Sequence, residues 1–244
     1  MRIGGFRKLS LVDYPGKLSA VVFTQGCNFR CSYCHNKELV FPDLFTPPIS
    51  SEEILSFLDR RRGRIEGVVI TGGEPLEQQG LEDFTGAVKA MGYALKLDTN
   101  GSYPAKFEKL LSMGVLDYIA MDYKAPAEKY PVVTGNGADA DSVQKTLKIL
   151  VRCGLPYEVR TTLFNGFTQE DVIQIVKELE NAGVKSYYLQ MPGGNSRLSS
   201  TGMAESDLIS LFKEHCGSFH FCGIRNNQHN KQMELLTKQR RNNC

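Results

Sequence analysis

A chain of 244 residues is long enough for one large α/β domain or two small ones, and 41% hydrophobic against 23% charged residues is ordinary for a protein that buries a core. With 29 basic and 27 acidic residues the net charge is only +2, so the balance predicts neither nucleic acid nor an anionic membrane as partner. No apolar run approaches the ~18 residues of a membrane-spanning helix, and the N-terminal residues lack an apolar stretch of the signal-peptide kind. Seven cysteines, an odd number, fit a reducing compartment better than a disulfide framework, so a cytoplasmic protein is expected.

Residues 1–17, punctuated by glycine and proline, predict a short hairpin or a strand and turn. Residues 18–24 (LSAVVFT) are apolar and β-branched and predict the first strand. A cysteine-bearing loop follows, then a proline-rich connection over 41–48. Ser50 or Ser51 is placed to cap a helix that runs to about Arg62, with carboxylates in its first turn. Residues 67–71 (GVVIT) predict a second buried strand, closed by Gly72-Gly73-Glu74-Pro75. The alternation then repeats, with helices over 81–91, 105–112, 139–151, 169–181 and 205–215. The strands between them fall at 93–98, 118–123, 157–163 and 187–191. Six βα units in this order predict an α/β fold of parallel strands with outer helices, in form a partial (β/α)6 barrel. A doubly wound sheet is the alternative. The barrel is expected over residues 1–225, leaving 226–244 as a polar, amide-rich tail.

Chemistry concentrates in residues 25–36, QGCNFRCSYCHN, where Cys27, Cys31 and Cys34 form a C-x3-C-x2-C run after a strand. Thiolates are soft anionic ligands, and three within eight residues can reach one face of an iron–sulfur cluster. A [4Fe–4S] cube takes four cysteines, so three would leave one iron open to a substrate or cofactor. Structural zinc is a competing reading, with His35 as a strained fourth ligand. Cys31 to His35 is also a literal C-x-x-C-H of the c-type haem kind, which would leave Cys27 idle. The remaining cysteines, Cys153, Cys216, Cys222 and Cys244, are scattered and form no second motif.

Three further polar stretches fall at predicted strand ends, where barrel active sites lie. Gly72-Gly73-Glu74-Pro75 would let backbone approach a ligand, although alone it reads as a tight turn. Asp98-Thr99-Asn100-Gly101 and Met121-Asp122-Tyr123-Lys124 each put an acid there, which in isolation is more often an N-cap or turn former. Arg160 and Gln190 occupy later strands and face either core or mouth. A buried arginine satisfied by a neighbouring carboxylate is the plainer reading of the first.

The C-x3-C-x2-C run with Tyr33 before its third cysteine resembles the signature of the radical S-adenosylmethionine (SAM) superfamily. That resemblance implies a [4Fe–4S] cluster on Cys27, Cys31 and Cys34 whose open iron chelates the amino and carboxylate groups of SAM. Reduction of the cluster would then cleave SAM to a 5′-deoxyadenosyl radical. The Gly72-Gly73-Glu74-Pro75 turn resembles the segment that holds the methionine end of SAM, with Glu74 supporting the turn. The Asp98 and Asp122 segments resemble those of glycyl-radical-enzyme activases. They imply that Asp122 and Lys124 help hold SAM, and that Asp98, Thr99, Asp122 and a main-chain carbonyl near Ala120 hold a monovalent cation beside the SAM carboxylate. Tyr33, Asn100, Arg160 and Gln190 complete the candidate SAM contacts.

Over nearly the whole chain the sequence resembles anaerobic ribonucleoside-triphosphate reductase activating proteins, through residues 9–39, 71–78, 95–101 and 117–126. This implies a glycyl radical enzyme as partner, namely anaerobic ribonucleotide reductase, and a reducing donor such as flavodoxin or ferredoxin. Members of that family end soon after a last strand with Arg-Gly, whereas here Arg225 is followed by Asn226. Two other readings stand beside it: a radical SAM enzyme acting on a small molecule or peptide, and a non-catalytic iron–sulfur or metal-binding protein.

Overall fold

The computed structural model describes residues 1–135, 139–164, 166–191, 205–226 and 233–235. Nine strands form one sheet in chain order: β1 (Ile3–Ser10), β2 (Ser19–Thr24), β3 (Gly67–Gly72), β4 (Ala94–Thr99), β5 (Tyr118–Asp122), β6 (Tyr157–Thr162), β7 (Ser186–Met191), β8 (Phe221–Asn226) and β9 (Met233–Leu235). β2 through β8 are parallel, and β1 and β9 pair antiparallel at the two edges. A doubly wound sheet reverses its strand order at a switch point. This order never reverses, so the sheet winds one way as a barrel does. Among the described residues β1 and β9 do not pair with each other, and the barrel is open along that side.

The helices are α1 (Lys37–Val40), α2 (Ser51–Asp59), α3 (Leu81–Ala90), α4 (Pro104–Ser112), α5 (Tyr130–Thr134), α6 (Ala140–Arg152), α7 (Gln169–Asn181) and α8 (Glu205–His215). Each connects two parallel strands, so the six expected βα units are present, with β8 as a seventh parallel strand after them. The helices start where local chemistry favours them. Ser50 caps α2 by accepting the Glu52 and Glu53 N–H groups at 3.1 and 3.4 Å. Thr168 and Asp171 form a reciprocal capping box on α7. α2 stops at Asp59, short of the expected Arg62. The chain then turns through Gly63 at φ +73° and leaves Arg60, Arg61, Arg62 and Arg64 exposed at the foot of the barrel.

Strand alternation divides the sheet into two chemically distinct faces. Outward residues such as Ala20, Val22, Val68, Ile70, Leu95, Leu97, Ile119, Val159 and Leu189 pack under the helices with Leu58, Phe84, Phe107, Leu147 and Ile175. The inner face has a small apolar floor of Tyr14, Val21 and Val69 with Phe23 and Ala94 against it. Elsewhere it carries Lys96, Asp98, Asp122, Glu158, Arg160 and Arg225, joined in ion pairs.

At the N-terminal end the expected strand and turn is present, and at the C-terminal end the structure differs from expectation. The opening segment is an eight-residue strand, β1, bound to β2 with two register shifts, so the hairpin is part of the sheet. Residues 233–235, expected within a loose tail, return as β9 against β8; three residues are too few to show a periodicity in sequence. Within the described residues no helix is long and apolar enough to cross a membrane.

Gly86 lies within α3 with no heavy atom within 4 Å of where a Cβ would stand. Gly86→Ala should therefore stabilise the fold by about 0.5–1 kcal/mol through helix propensity alone. Urea unfolding should show the higher midpoint with an unchanged slope.

Candidate functional site

The cysteine loop leaves β2 at Thr24 and is fastened from several sides. Gln25 is buried. Its N–H donates to the Arg2 carbonyl at 3.0 Å, its Nε2 donates to the Thr46 carbonyl at 2.8 Å, and its carbonyl accepts from Gln78 Nε2 at 2.7 Å. Farther along, the Arg30 N–H donates to the Thr134 carbonyl at 2.6 Å, and its guanidinium turns back onto the carbonyls of Cys27 and Phe29. Phe29 is buried in a T-shaped contact with the Tyr130 ring. Tyr33 lies flat on Phe164, centroids 4.3 Å apart and planes 9° apart, which docks the loop onto the segment after β6.

The turn after β3 lies against this loop backbone to backbone. The Gly73 N–H donates to the Thr24 carbonyl at 2.9 Å, and the Glu74 N–H to the Gly26 carbonyl at 2.7 Å. A Cβ on Gly73 would stand 1.9 Å from the Gly26 oxygen, and one on Gly72, at φ +118°, 2.2 Å from the Thr24 nitrogen. Both glycines line the cavity, yet their close approach is to the neighbouring chain. Glu74 does not line it. Fully buried, it accepts from the Leu76 N–H at 3.0 Å, the Thr99 hydroxyl at 2.8 Å and the Asn100 N–H at 2.7 Å, and so ties the end of β3 to the end of β4. Burial pushes its carboxyl up to about 7, while these donors and Lys124 pull the other way.

At the carboxyl ends of the strands is a cavity of about 260 Å³ lined by Cys27, Cys31, Tyr33, Cys34, Gly72, Gly73, Asp98, Thr99, Asn100, Asp122, Lys124, Arg160 and Gln190, with His35, Asn36 and Thr162 among the rest. Apart from Glu74, every candidate side chain reaches this one space. Thr99 does so with its hydroxyl already committed to Glu74. Ala120, whose carbonyl was expected near an ion, pairs with Asp98 in the β4–β5 register and does not line the cavity.

Charge on this wall is balanced internally. Arg160 lies between the two acids, 2.9 Å from Asp122 and 3.4 Å from Asp98. Lys124 holds the other oxygen of Asp122 at 2.9 Å, and buried Lys96 holds Asp98 at 2.5 Å. Burial would raise the Asp122 carboxyl, but Arg160 and Lys124 outweigh it and hold it well below the usual range. Burial likewise works against the Lys124 ammonium, and Asp122 more than restores it. Three cations face two carboxylates, which leaves one positive charge for an anionic group. Deeper in the barrel Arg225 grips Glu158 through two bonds of 2.9 and 2.7 Å and stacks on Tyr188 at 3.8 Å.

Residues 96, 158 and 225 were not singled out from sequence. Their signal was present: charged residues two apart in apolar strands, as in LKLD and YEVR, put charge on one face of a sheet. Phe164, Asn28 and Ser102 gave no such sign.

The three thiols fit an iron–sulfur cluster better than a single ion. Among the described residues no three His, Cys, Asp or Glu side chains converge closely enough to hold one metal, as tetrahedral zinc requires. A cube asks less, because each thiolate meets a different iron. Burial pushes the Cys27 thiol up to about 12 and raises Cys31 as well, so both are neutral until a metal displaces the proton. Cys153, by contrast, caps the far end of α6 and is outside the cavity.

The sequence profile described as the Radical SAM superfamily matches residues 21–179. A protein of Methanocaldococcus jannaschii that carries the name of a glycyl-radical enzyme activating enzyme is 33% identical over 73% of this chain and 75% of its own length. The pyruvate formate-lyase-activating enzyme of Streptococcus mutans is 32% identical over 70% of each chain. Among solved structures, QueE from Escherichia coli superposes over 92% of both chains with a TM-score of 0.56 at 15% identity, a likeness of fold.

Asp122→Asn removes the carboxylate that Arg160 and Lys124 share, and should cost about 2 kcal/mol at pH 7. The depressed folded value means that this stabilisation is complete above the ordinary 3.8 and fades as pH falls below it. Urea titrations of both proteins at pH 7 and in the acid range should show their difference contract on acidification.

Proposed function

The chain belongs to the radical SAM superfamily, and from that premise we propose that it is an activating enzyme that installs a glycyl radical on a partner protein. One observation carries the reading: three thiols from one loop and the charged ends of β4, β5 and β6 line a single cavity. An electron carrier or a structural metal site needs only the thiols.

A cluster on Cys27, Cys31 and Cys34 with SAM at its open iron would supply one-electron cleavage of a carbon–sulfur bond. The chain's own residues have other tasks. Main-chain groups at Gly72 and Gly73 border the space beside the cysteines, where the ammonium of SAM would lie. Lys124 and Arg160 bring the surplus positive charge that a carboxylate requires. Tyr33, anchored on Phe164, offers an aromatic wall, and Gln190, accepting from Thr162 at 3.1 Å, a polar one.

A monovalent cation beside the SAM carboxylate is part of the same proposal. Arg160 already separates Asp98 and Asp122, so an ion would take over these acids as Arg160 swings to the carboxylate. SAM affinity should then rise when potassium replaces a bulky organic cation. Equal affinity in the two buffers would leave Arg160 alone as the balancing charge.

For the partner we propose anaerobic ribonucleotide reductase, with flavodoxin or ferredoxin as donor. The support is the resemblance over residues 9–39, 71–78, 95–101 and 117–126 and the activase names of relatives. A glycine suits the reaction because it has no Cβ, so an exposed loop can enter an open barrel, and its backbone radical is stabilised by flanking amides.

Protein reconstituted with iron and sulfide under anaerobic conditions should form a cluster that Cys27→Ala, Cys31→Ala and Cys34→Ala each lose and Cys153→Ala keeps. Reduced and mixed with SAM and the reductase, it should give a glycyl radical doublet by electron paramagnetic resonance. SAM cleavage without a doublet across several glycyl radical enzymes would transfer the reading to a small-molecule or peptide substrate. No SAM cleavage at all would leave a metal-binding protein.

A further inference from the structure

Asn100 is buried at the end of β4 and held from both main chain and side chain. Its N–H donates to Glu74. Its side-chain amide has a single workable orientation, because Oδ1 accepts the Ser102 N–H at 2.9 Å and the Ser102 hydroxyl at 2.5 Å. A flipped amide would set N–H against N–H. Nδ2 is thereby turned to the cysteine loop, with one N–H on Asn28 Oδ1 at 3.0 Å and the other toward Cys27 Sγ at 3.7 Å. Asn28 cannot drift away, since its own Nδ2 donates to Ser102 Oγ at 3.0 Å. The Phe29 N–H approaches the same sulfur at 3.4 Å.

We infer that Asn100 is a tuning residue: its N–H···S contact with Cys27 raises the reduction potential of the cluster that the cysteines hold. This rests on the radical SAM reading above. Reduction adds negative charge to the cluster and its sulfurs, and a fixed donor stabilises the reduced form more than the oxidised one. Water exchanges such bonds freely, whereas a buried amide with every donor and acceptor committed cannot reorient to follow the charge. The effect is therefore built in before the electron arrives.

The test is a reductive titration of the anaerobically reconstituted full chain, following the resonance signal of the reduced cluster. Wild type would be compared with Asn100→Leu, Asn100→Asp and Ser102→Ala. In Asn100→Leu the reduced-to-oxidised ratio at a fixed potential should fall about tenfold, equal to a shift of about 59 mV to more negative potential for one electron. Asn100→Asp keeps an acceptor for Ser102 but faces the sulfur with negative charge, so its midpoint should fall further. Ser102→Ala keeps the Ser102 N–H bond that orients the amide but loses the hydroxyl that holds Asn28, so its midpoint should move in the same direction by less than half as much as in Asn100→Leu. Midpoints unchanged or raised in the Asn100 variants overturn the inference, as does an equal shift in Ser102→Ala. Should Asn100→Leu hold no cluster, Asn100→Asp decides by the same criterion. A wild type that assembles no [4Fe–4S] cluster overturns the proposed function and this inference with it; a normal cluster whose midpoint is indifferent to Asn100 overturns this inference alone.

Discussion

The site depends on two stretches of main chain lying closer together than any side chain allows. Gly73 stands against the Gly26 carbonyl and Gly72 against Thr24, at separations that a single methyl group would close. The contact joins the loop that carries the cysteines to the turn after β3. Glu74, in the next position, carries the connection on to β4 through Thr99 and Asn100. Three strand ends are thus locked in sequence by one short turn. Its glycines matter for what they bring together as much as for what they leave room for.

The second constraint is electrostatic. A barrel interior is usually filled by branched apolar side chains in layers. Here only the floor is apolar, and the upper part of the inner face carries Lys96, Asp98, Asp122, Glu158, Arg160 and Arg225 in pairs. Burying charge costs several kcal/mol per ion unless it is paired and hydrogen-bonded. The network meets that condition within the chain, and each member has its position fixed by a strand rather than a loop. A ligand reaching the mouth therefore meets charges already placed, and Lys124, just beyond the end of β5, adds the one positive charge in excess. Arg160 is central because, among the described residues, it alone touches Asp98, Asp122 and Glu158.

The two constraints meet at Asn100. Glu74 belongs to the backbone lock and fixes the Asn100 main chain, while the Asn100 amide faces the cysteine loop. Glu74 therefore reaches the sulfur of Cys27 through one intervening residue, without entering the cavity itself. This also separates residues that border the cavity from residues that hold the border in place. Gly72 and Gly73 do both, and Glu74 only the second.

By itself the sequence determined the repeating unit and which strand ends carry the polar stretches that line the cavity. Apolar β-branched runs alternating with amphipathic ones leave little choice but parallel strands under helices, and the polar stretches at Cys27, Gly72, Asp98 and Asp122 stood out because they ended such runs. These are local properties, readable within a dozen residues. What only the tertiary structure decided is non-local. That Arg160 would bridge Asp98 and Asp122, that Glu74 would face inward onto Thr99 and Asn100, and that Phe164 would receive Tyr33 all follow from strand register and inter-strand distance. The far edge was hidden for the same reason: β9 is three residues long, and a strand at an edge is defined by the neighbour it pairs with more than by its own pattern. An ion pair or a stacked ring is a relation between distant positions, and a residue's own neighbours along the chain carry no record of it.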